Sequence, residues 1–222
     1  MQRAYDQILH DVALQRLPVV FAVDRAGLVG EDGETHQGIY DLAYLHTIPG
    51  LDIYAPSSQE ELAALLAMAM EANRPVAIRY PRGTLMNRPL EGPMKRGKWR
   101  LLRPLRPVSM VAEGPLVERA LQAGEGRNVG VVNAWCIRPM DMEMIDAIKI
   151  QCRQVLCLED GLQTGGLGSR LCEALTGTGI QVVRLGVGET PVAQGTAAQQ
   201  HTWCGLDVES IRRQLENMEE AR

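Results

Sequence analysis

The strongest constraint in this sequence is an alternation. Short apolar runs ending in turn residues recur along the chain, each separated from the next by a segment of helical period. PVVFAVD (18–24), LDIYAP (51–56) and VAIRYPRG (76–83) read as strands, the first of them buried on both faces as parallel sheets require. Residues 2–16, QRAYDQILHDVALQR, place Tyr5, Ile8, Leu9, Val12 and Ala13 at helical spacing. DLAYLHTIP predicts a short helix, and SSQEELAALLAMAMEA a longer one opened by a capping box from Ser58 to Glu61. Repeated strand–helix–strand units require a parallel sheet covered by helices, so the chain is of the α/β class.

The alternation breaks once. Residues 84–107 hold four prolines and many basic residues with little periodicity, which predicts an exposed linker. Beyond it come VSMVAEG, helix LVERALQAG, strand NVGVVNAW, helix MDMEMIDAIKIQ, strand QVLCLED, helix GGLGSRLCEAL and strand QVVRLGV. A polar helix, VESIRRQLENMEEAR, closes the chain. The expected division is a first domain over 1–83, a linker over 84–107 and a complete, smaller α/β domain over 108–222. The first domain shows three strands where a sheet usually has about five or six. It also opens inside a helix with no strand before it. An incomplete parallel sheet is therefore expected, its remainder on another chain or outside this sequence.

Composition narrows function by exclusion. A formal charge of −4 and a pI near 5.6 argue against nucleic acid or an anionic membrane as the main partner. The longest apolar run, LAALLAMAM at 62–70, is too short to span a bilayer, and MQRAYDQ has no apolar core of a secretory signal. Five cysteines (Cys136, Cys152, Cys157, Cys172, Cys204) are odd in number and form no C-x-x-C pair. They read as thiols in a reducing, cytoplasmic setting, and no metal site is expected.

The chemistry-bearing residues gather where strands end. DRAGLVGEDGETHQG (24–38) puts four glycines among acids, an arginine and a histidine directly after the first strand. In open α/β sheets that edge is where ligands bind. Asp32 and His36 flank Gly33, and a histidine is suited to proton exchange near neutral pH, with a nearby carboxylate to orient it. The alternative is a solvated surface loop. Arg25 stands at the end of its strand, and Arg79 and Arg82 at the end of theirs. Two or three guanidinium groups could converge there on a phosphate, or pair with Asp24 or another acid at the rim. GGLGS (165–169) opens a helix after a strand but lacks the full G-x-G-x-x-G spacing. Close packing of the helix against neighbouring backbone is the favoured reading of those glycines. EDG occurs twice, at 31–33 and 159–161, and neither copy is followed by a metal-ligand pattern.

The stretch GEDGETHQGIYDLAYLHTIPGLDIYAPSSQEEL (30–62) resembles the 1-deoxy-D-xylulose-5-phosphate synthases, a transketolase-like family. The resemblance continues through RYPRG (79–83) and into VVNAWCIRPMD and LEDGLQTGGLGS of the second half, so it covers nearly the whole chain. It implies an incomplete pyrimidine-binding domain followed by a complete transketolase C-terminal domain. It also implies thiamine diphosphate and Mg2+ as cofactors of the whole enzyme, and pyruvate and glyceraldehyde 3-phosphate as substrates. The product would feed isoprenoid, thiamine and pyridoxal synthesis, and the enzyme would be a homodimer. By the same resemblance His36 and Asp32 are active-site groups, Arg25 and Arg82 clamp the acceptor's phosphate, and Arg3 lies beside the cofactor's aminopyrimidine ring. The family's activating glutamate and its metal-binding domain have no counterpart in this sequence, so the chain alone is expected to be inactive. LCLEDGLQTGG departs from the family, whose members commonly carry a more apolar run before the glycines. Two other readings stay open: one subunit of a split transketolase-like enzyme, and a non-catalytic α/β binding module with GGLGS as its ligand site.

Overall fold

In a computed structural model describing residues 1–220, the expected strands form and sort into two sheets. Residues 221 and 222, the end of the expected C-terminal helix, lie outside the described residues. The first sheet contains β1 (Val20–Val23), β2 (Asp52–Tyr54) and β3 (Val76–Arg79), parallel in the order β1-β3-β2. β2 and β3 are wholly buried. β1 is not the doubly buried strand its apolar run predicts: Ala22 is exposed and only Val23 is buried, because β1 is the sheet's edge. Before it, the N-terminal segment is helical, with α1 (Tyr5–Gln7) running into a π-turn (Ile8–Ala13) that buries Ile8 and Ala13. α2 (Asp41–Leu45) and α3 (Gln59–Met70) complete this half.

The second sheet has the order β4-β6-β5-β8-β9. β5 (Val108–Ala112), β6 (Gly130–Asn133), β8 (Gln154–Leu162) and β9 (Gln181–Val187) are parallel, as the alternation requires. Between and after them stand α4 (Leu116–Ala123), α5 (Met142–Gln151), α6 (Leu167–Ala174), α7 (Ala197–Trp203) and α8 (Val208–Glu220).

Two features correct the sequence reading. Residues 84–107 are not simply an exposed linker. They contribute β4 (Arg100–Arg103), antiparallel on β6, and bury Trp99 and Leu105. An edge strand needs a partner on one side only, so a neighbouring proline such as Pro104 is tolerated and masks it. The strand expected over NVGVVNAW also divides. After β6 the chain leaves the second sheet, and β7 (Cys136–Arg138) pairs antiparallel with β2 as the fourth strand of the first. Trp135 sits fully buried at this crossing and meets Tyr54 edge-on, ring centroids 5.5 Å apart. One hydrophobic cluster therefore runs through both sheets, from Ile8 to Leu175.

Polar side chains reinforce the join. Ser58 caps α3 by accepting the Glu61 N–H at 3.2 Å. The reciprocal half of the expected box is absent. Glu61 turns instead to the N–H and hydroxyl of Ser57, at 2.8 Å each, and accepts from Asn133 of β6 at 2.8 Å. Arg79, at the end of β3, is 2% exposed. It reaches Asp41 of α2 at 3.0 Å, both carboxylate oxygens of Glu113 after β5 at 2.8 Å, and the Asp160 carbonyl of β8 at 2.9 Å. Burial works to lower the Arg79 pKa, but Asp41 and Glu113 outweigh it and keep the guanidinium charged. Burial pushes the Glu113 carboxyl upward against the pull of Arg79.

Removing one partner from such a buried group leaves the others uncompensated, at a cost of about 3–5 kcal/mol. Arg79→Met is expected to lower the urea unfolding free energy by that amount. Adding Glu113→Gln should restore part of it, and an unchanged midpoint in the single variant would show the network to be idle.

Candidate active site

The loop after β1 divides into a buried neck and an exposed tip. Ala26–Gly30 are buried, whereas Glu31 and Glu34–His36 are exposed. Gly27 and Gly38 close the neck with a pair of backbone hydrogen bonds at 2.8 and 2.9 Å. Neither position has room for a side chain: a Cβ on Gly38 would lie 1.9 Å from the Arg25 carbonyl oxygen, and one on Gly27 2.1 Å from an Asp160 oxygen. The strand ends also stay in register past the sheet, since Tyr80 N–H donates to the Val23 carbonyl and Ala26 N–H to the Tyr80 carbonyl. That register carries Arg25 and Arg82 out side by side.

Both guanidiniums converge on one acid. Asp32 Oδ2 accepts from Arg25 at 3.0 Å and Asp32 Oδ1 from Arg82 at 2.5 Å. Each arginine remains about half exposed (50% and 47%), so the trio faces solvent with one positive charge in excess. Arg25 takes up a left-handed backbone (φ 61°), and its N–H is held by Asp24 Oδ1 at 2.7 Å. A non-glycine residue in that region carries local strain of about 1–3 kcal/mol, a cost that clusters at functional positions. Arg79 does not join this group, contrary to the strand-end expectation; it is spent on the buried network beneath.

Arg25 and His36 line a cleft of about 260 Å³ together with Asp24, Gln37, Tyr40 and Tyr44. Asp32 does not orient His36, because both its oxygens are committed to the arginines; the imidazole Nδ1 lies 2.9 Å from the Thr35 hydroxyl. Arg3 is exposed on the first helical turn and is not among the residues lining the cleft, although Met1 and Gln2 are. Among the described residues no group of three His, Cys, Asp or Glu side chains could hold a metal ion. Among the described residues the donor set therefore does not fit Mg2+, and Arg3 stands apart from the lining of this cleft.

Asp160, which the sequence presents only as part of the second EDG, anchors the loop neck. Its Oδ1 accepts the Leu28 N–H at 3.1 Å. Burial works to raise the Asp160 carboxyl, but His201, Arg79 and the Leu28 N–H outweigh it and hold it below its ordinary value. An acid pair, Glu159-Asp160, inside the apolar run QVLCLED is the available signal, since a buried carboxylate demands partners.

The model of the transketolase pyrimidine-binding domain matches residues 1–87, and that of the transketolase C-terminal domain matches residues 97–211. The chain belongs to the transketolase family. Among curated relatives it is 44% identical to a 1-deoxy-D-xylulose-5-phosphate synthase of Thermus thermophilus, over 98% of this chain and 36% of that protein. It is 41% identical to the synthase of the same name from Clostridium tetani, over 97% of this chain and 36% of the relative. The chain thus spans about a third of the length of the curated relatives it matches. A solved structure described as a split gene transketolase, inactive beta4 tetramer, superposes with a TM-score of 0.87 at 26% identity, over 97% of this chain and 71% of that one. Transketolase from Campylobacter jejuni shares the fold at a TM-score of 0.70 and 20% identity, over 89% and 31% of the two chains.

The glycine-rich turn at 165–169 is already filled. Glu159 of β8 reaches the first turn of α6, where Oε1 accepts the Gly168 N–H at 3.3 Å. A Cβ on Gly166 would lie 1.9 Å from Glu159 Oε2, and one on Gly168 2.8 Å from Oε1. The glycines make room for a carboxyl of the chain itself, so close packing is their role and the binding-module reading loses its ligand site. Burial, reinforced by the Glu113 charge, pushes the Glu159 pKa up to about 8, and Oε2 has no hydrogen-bond partner. The folded state therefore keeps a proton that the unfolded chain releases near 4.5. Stability falls as pH rises between those values, by at most about 1.4 kcal/mol per pH unit, and levels off above the folded pKa. Glu159→Gln should gain on the wild type in urea unfolding as pH rises from about 5 to 8. A difference independent of pH would mean that Glu159 is ionised throughout.

Proposed function

We propose that this chain supplies the acceptor-binding side of a 1-deoxy-D-xylulose-5-phosphate synthase, which condenses pyruvate with glyceraldehyde 3-phosphate with loss of CO2. The observation that carries the proposal is the convergence of Arg25 and Arg82 on Asp32, with Arg25 also lining the cleft that holds His36. Two half-exposed guanidiniums on adjacent strand ends suit a phosphate dianion, which they bind through charge-assisted hydrogen bonds. Asp32 occupies the space between them and sets their separation. The phosphate then adds to the trio or displaces Asp32 from one arginine. His36, exposed within the cleft, is placed to exchange a proton with the oxygen of the acceptor's aldehyde. Arg3, which does not line this cleft, is the residue of this chain that would approach the cofactor.

Thiamine diphosphate supplies the decarboxylation chemistry when bound. Its anchoring, with Mg2+, falls to residues outside this chain, so turnover by the chain alone is not expected. We place the whole enzyme in the cytoplasm as a homodimer, with its product entering isoprenoid, thiamine and pyridoxal precursor synthesis. No described helix is long and apolar enough to cross a membrane. The open edge of β1, flanked by exposed Leu14 and Leu17, favours a protein partner on that side. A second reading, one subunit of a split enzyme, is favoured by the split-gene neighbour, which this chain matches over 97% of its own length. Co-purification of a second chain that completes the cofactor site would select it.

Calorimetric titration with D-glyceraldehyde 3-phosphate tests the site. Arg25→Ala and Arg82→Ala are each expected to weaken binding about tenfold, the equivalent of one charge-assisted hydrogen bond. The unphosphorylated aldehyde should bind wild type and variants alike. Equal affinity of the wild type for the two aldehydes would overturn the phosphate assignment.

A further inference from the structure

Asp32 at the tip of the loop pairs with Arg25 and Arg82, but Gly30, where the buried neck passes into the tip, is gripped from the other half of the chain. α7 opens with a full capping box between Thr196 and Gln199 and presents Gln200, which is fully buried. Gln200 Oε1 accepts the Gly30 N–H at 2.8 Å, and Nε2 donates to the Gly30 carbonyl at 3.2 Å and to the Ala193 carbonyl at 2.9 Å. The side-chain amide thus treats Gly30 as a neighbouring strand would, taking its donor and its acceptor together. Helix and loop lie close enough that a Cβ on Gly30 would stand 2.8 Å from the Ala197 nitrogen, and Gly30 itself has φ +73°.

Gly30 is the first residue of the single turn Gly30–Asp32, which Gly33 N–H closes onto the Gly30 carbonyl at 3.3 Å. Whatever fixes Gly30 fixes Asp32 two residues later. Neighbouring contacts act in the same direction. Gln194 Nε2 donates to the Glu31 carbonyl at 3.0 Å, and His201 Nε2 lies 3.6 Å from the Asp160 carboxylate that holds Leu28.

We propose that Gln200 is the positioning residue of the anion site: α7 latches Gly30, and the turn that starts there sets Asp32 between Arg25 and Arg82. The inference rests on the reading of those arginines as the clamp for the substrate's phosphate. Gln200 touches no substrate and acts through Gly30. Without its amide the Gly30 N–H loses its partner, the turn loosens, and Asp32 no longer holds the two like charges together. The second half of the chain then contributes to acceptor recognition without supplying a residue that meets the acceptor.

The test compares the full chain with Gln200→Met, which keeps volume but makes none of these three hydrogen bonds, and with Ile211→Val. The latter is a core truncation on α8 far in sequence from the loop. Inorganic phosphate and D-glyceraldehyde 3-phosphate are titrated calorimetrically, and amide exchange is followed over residues 28–33. Gln200→Met should weaken both anions about tenfold and speed exchange in that segment. Ile211→Val should lower the thermal midpoint while leaving both readouts as in the wild type. Wild-type anion affinity in Gln200→Met overturns the proposal, as does an equal loss in Ile211→Val, which would make the effect one of general stability. If the wild type binds neither anion, the clamp reading fails and exchange alone decides the latch. Faster exchange confined to 28–33 upholds the hold of α7 on the turn, and unchanged exchange removes it.

Discussion

Everything near the cleft depends on one buried cation. Arg79 lies where β3 ends, beneath the loop, and its guanidinium is divided among Asp41, Glu113 and the carbonyl of Asp160. Asp41 belongs to the first half of the chain and the other two to the second. A charge in that position is costly unless every partner is in place, so the network tolerates one relative placement of the two halves and few others. Apolar burial across the same boundary is far larger in area, but it is not directional. The ion cluster supplies the direction. Asp160 then extends it upward, accepting the Leu28 N–H, so the placement of the sheets is passed to the neck of the loop.

The loop itself shows a division of labour. Its neck is part of the core, closed by the Gly27–Gly38 pair and crowded by Asp160. Its tip stays in solvent and carries Asp32 and His36. The charged groups at the tip are balanced rather than saturated: one carboxylate is shared by two arginines, each still half open to water. Under the proposed function this arrangement keeps like charges together in the absence of substrate and leaves them available to a dianion. Contacts from α7 on the far side of the turn explain how an exposed loop rich in glycine holds a defined shape.

Much of this was legible in the sequence, for reasons that differ by element. β2, β3, β5 and β8 could be read because buried parallel strands are largely apolar on both faces, and β9, at the sheet's edge, because QVVRLGV is still a short apolar run. α3 and α5 could be read because helical period and caps agree, and α4 from its period alone. β4 was hidden by prolines and arginines that an edge strand tolerates, and α7 by a sequence, AAQQHTW, with no apolar face of helical spacing. β7 was hidden because NAWCIR continues an apolar run already assigned to β6; nothing local says that the chain changes sheets there. At the site, Arg25, Arg82, Asp32 and His36 were legible as a cluster at strand ends. Their pairing was legible only as an alternative, arginine with an acid at the rim; that the acid is Asp32, expected to serve His36, was not.

By itself the sequence determined the local terms: most of the strands and helices, and which loop carries arginine, carboxylate and imidazole. Those follow from periodicity, turn residues and residue chemistry within a few positions of one another. Only the tertiary structure decided that β7 crosses into the first sheet, that Arg79 turns inward while Arg25 and Arg82 turn outward, and that Gln200 grips a residue 170 positions away. These depend on contacts between distant segments, where the cost of an unpaired buried charge or amide selects the partner. No local pattern in the chain encodes that cost.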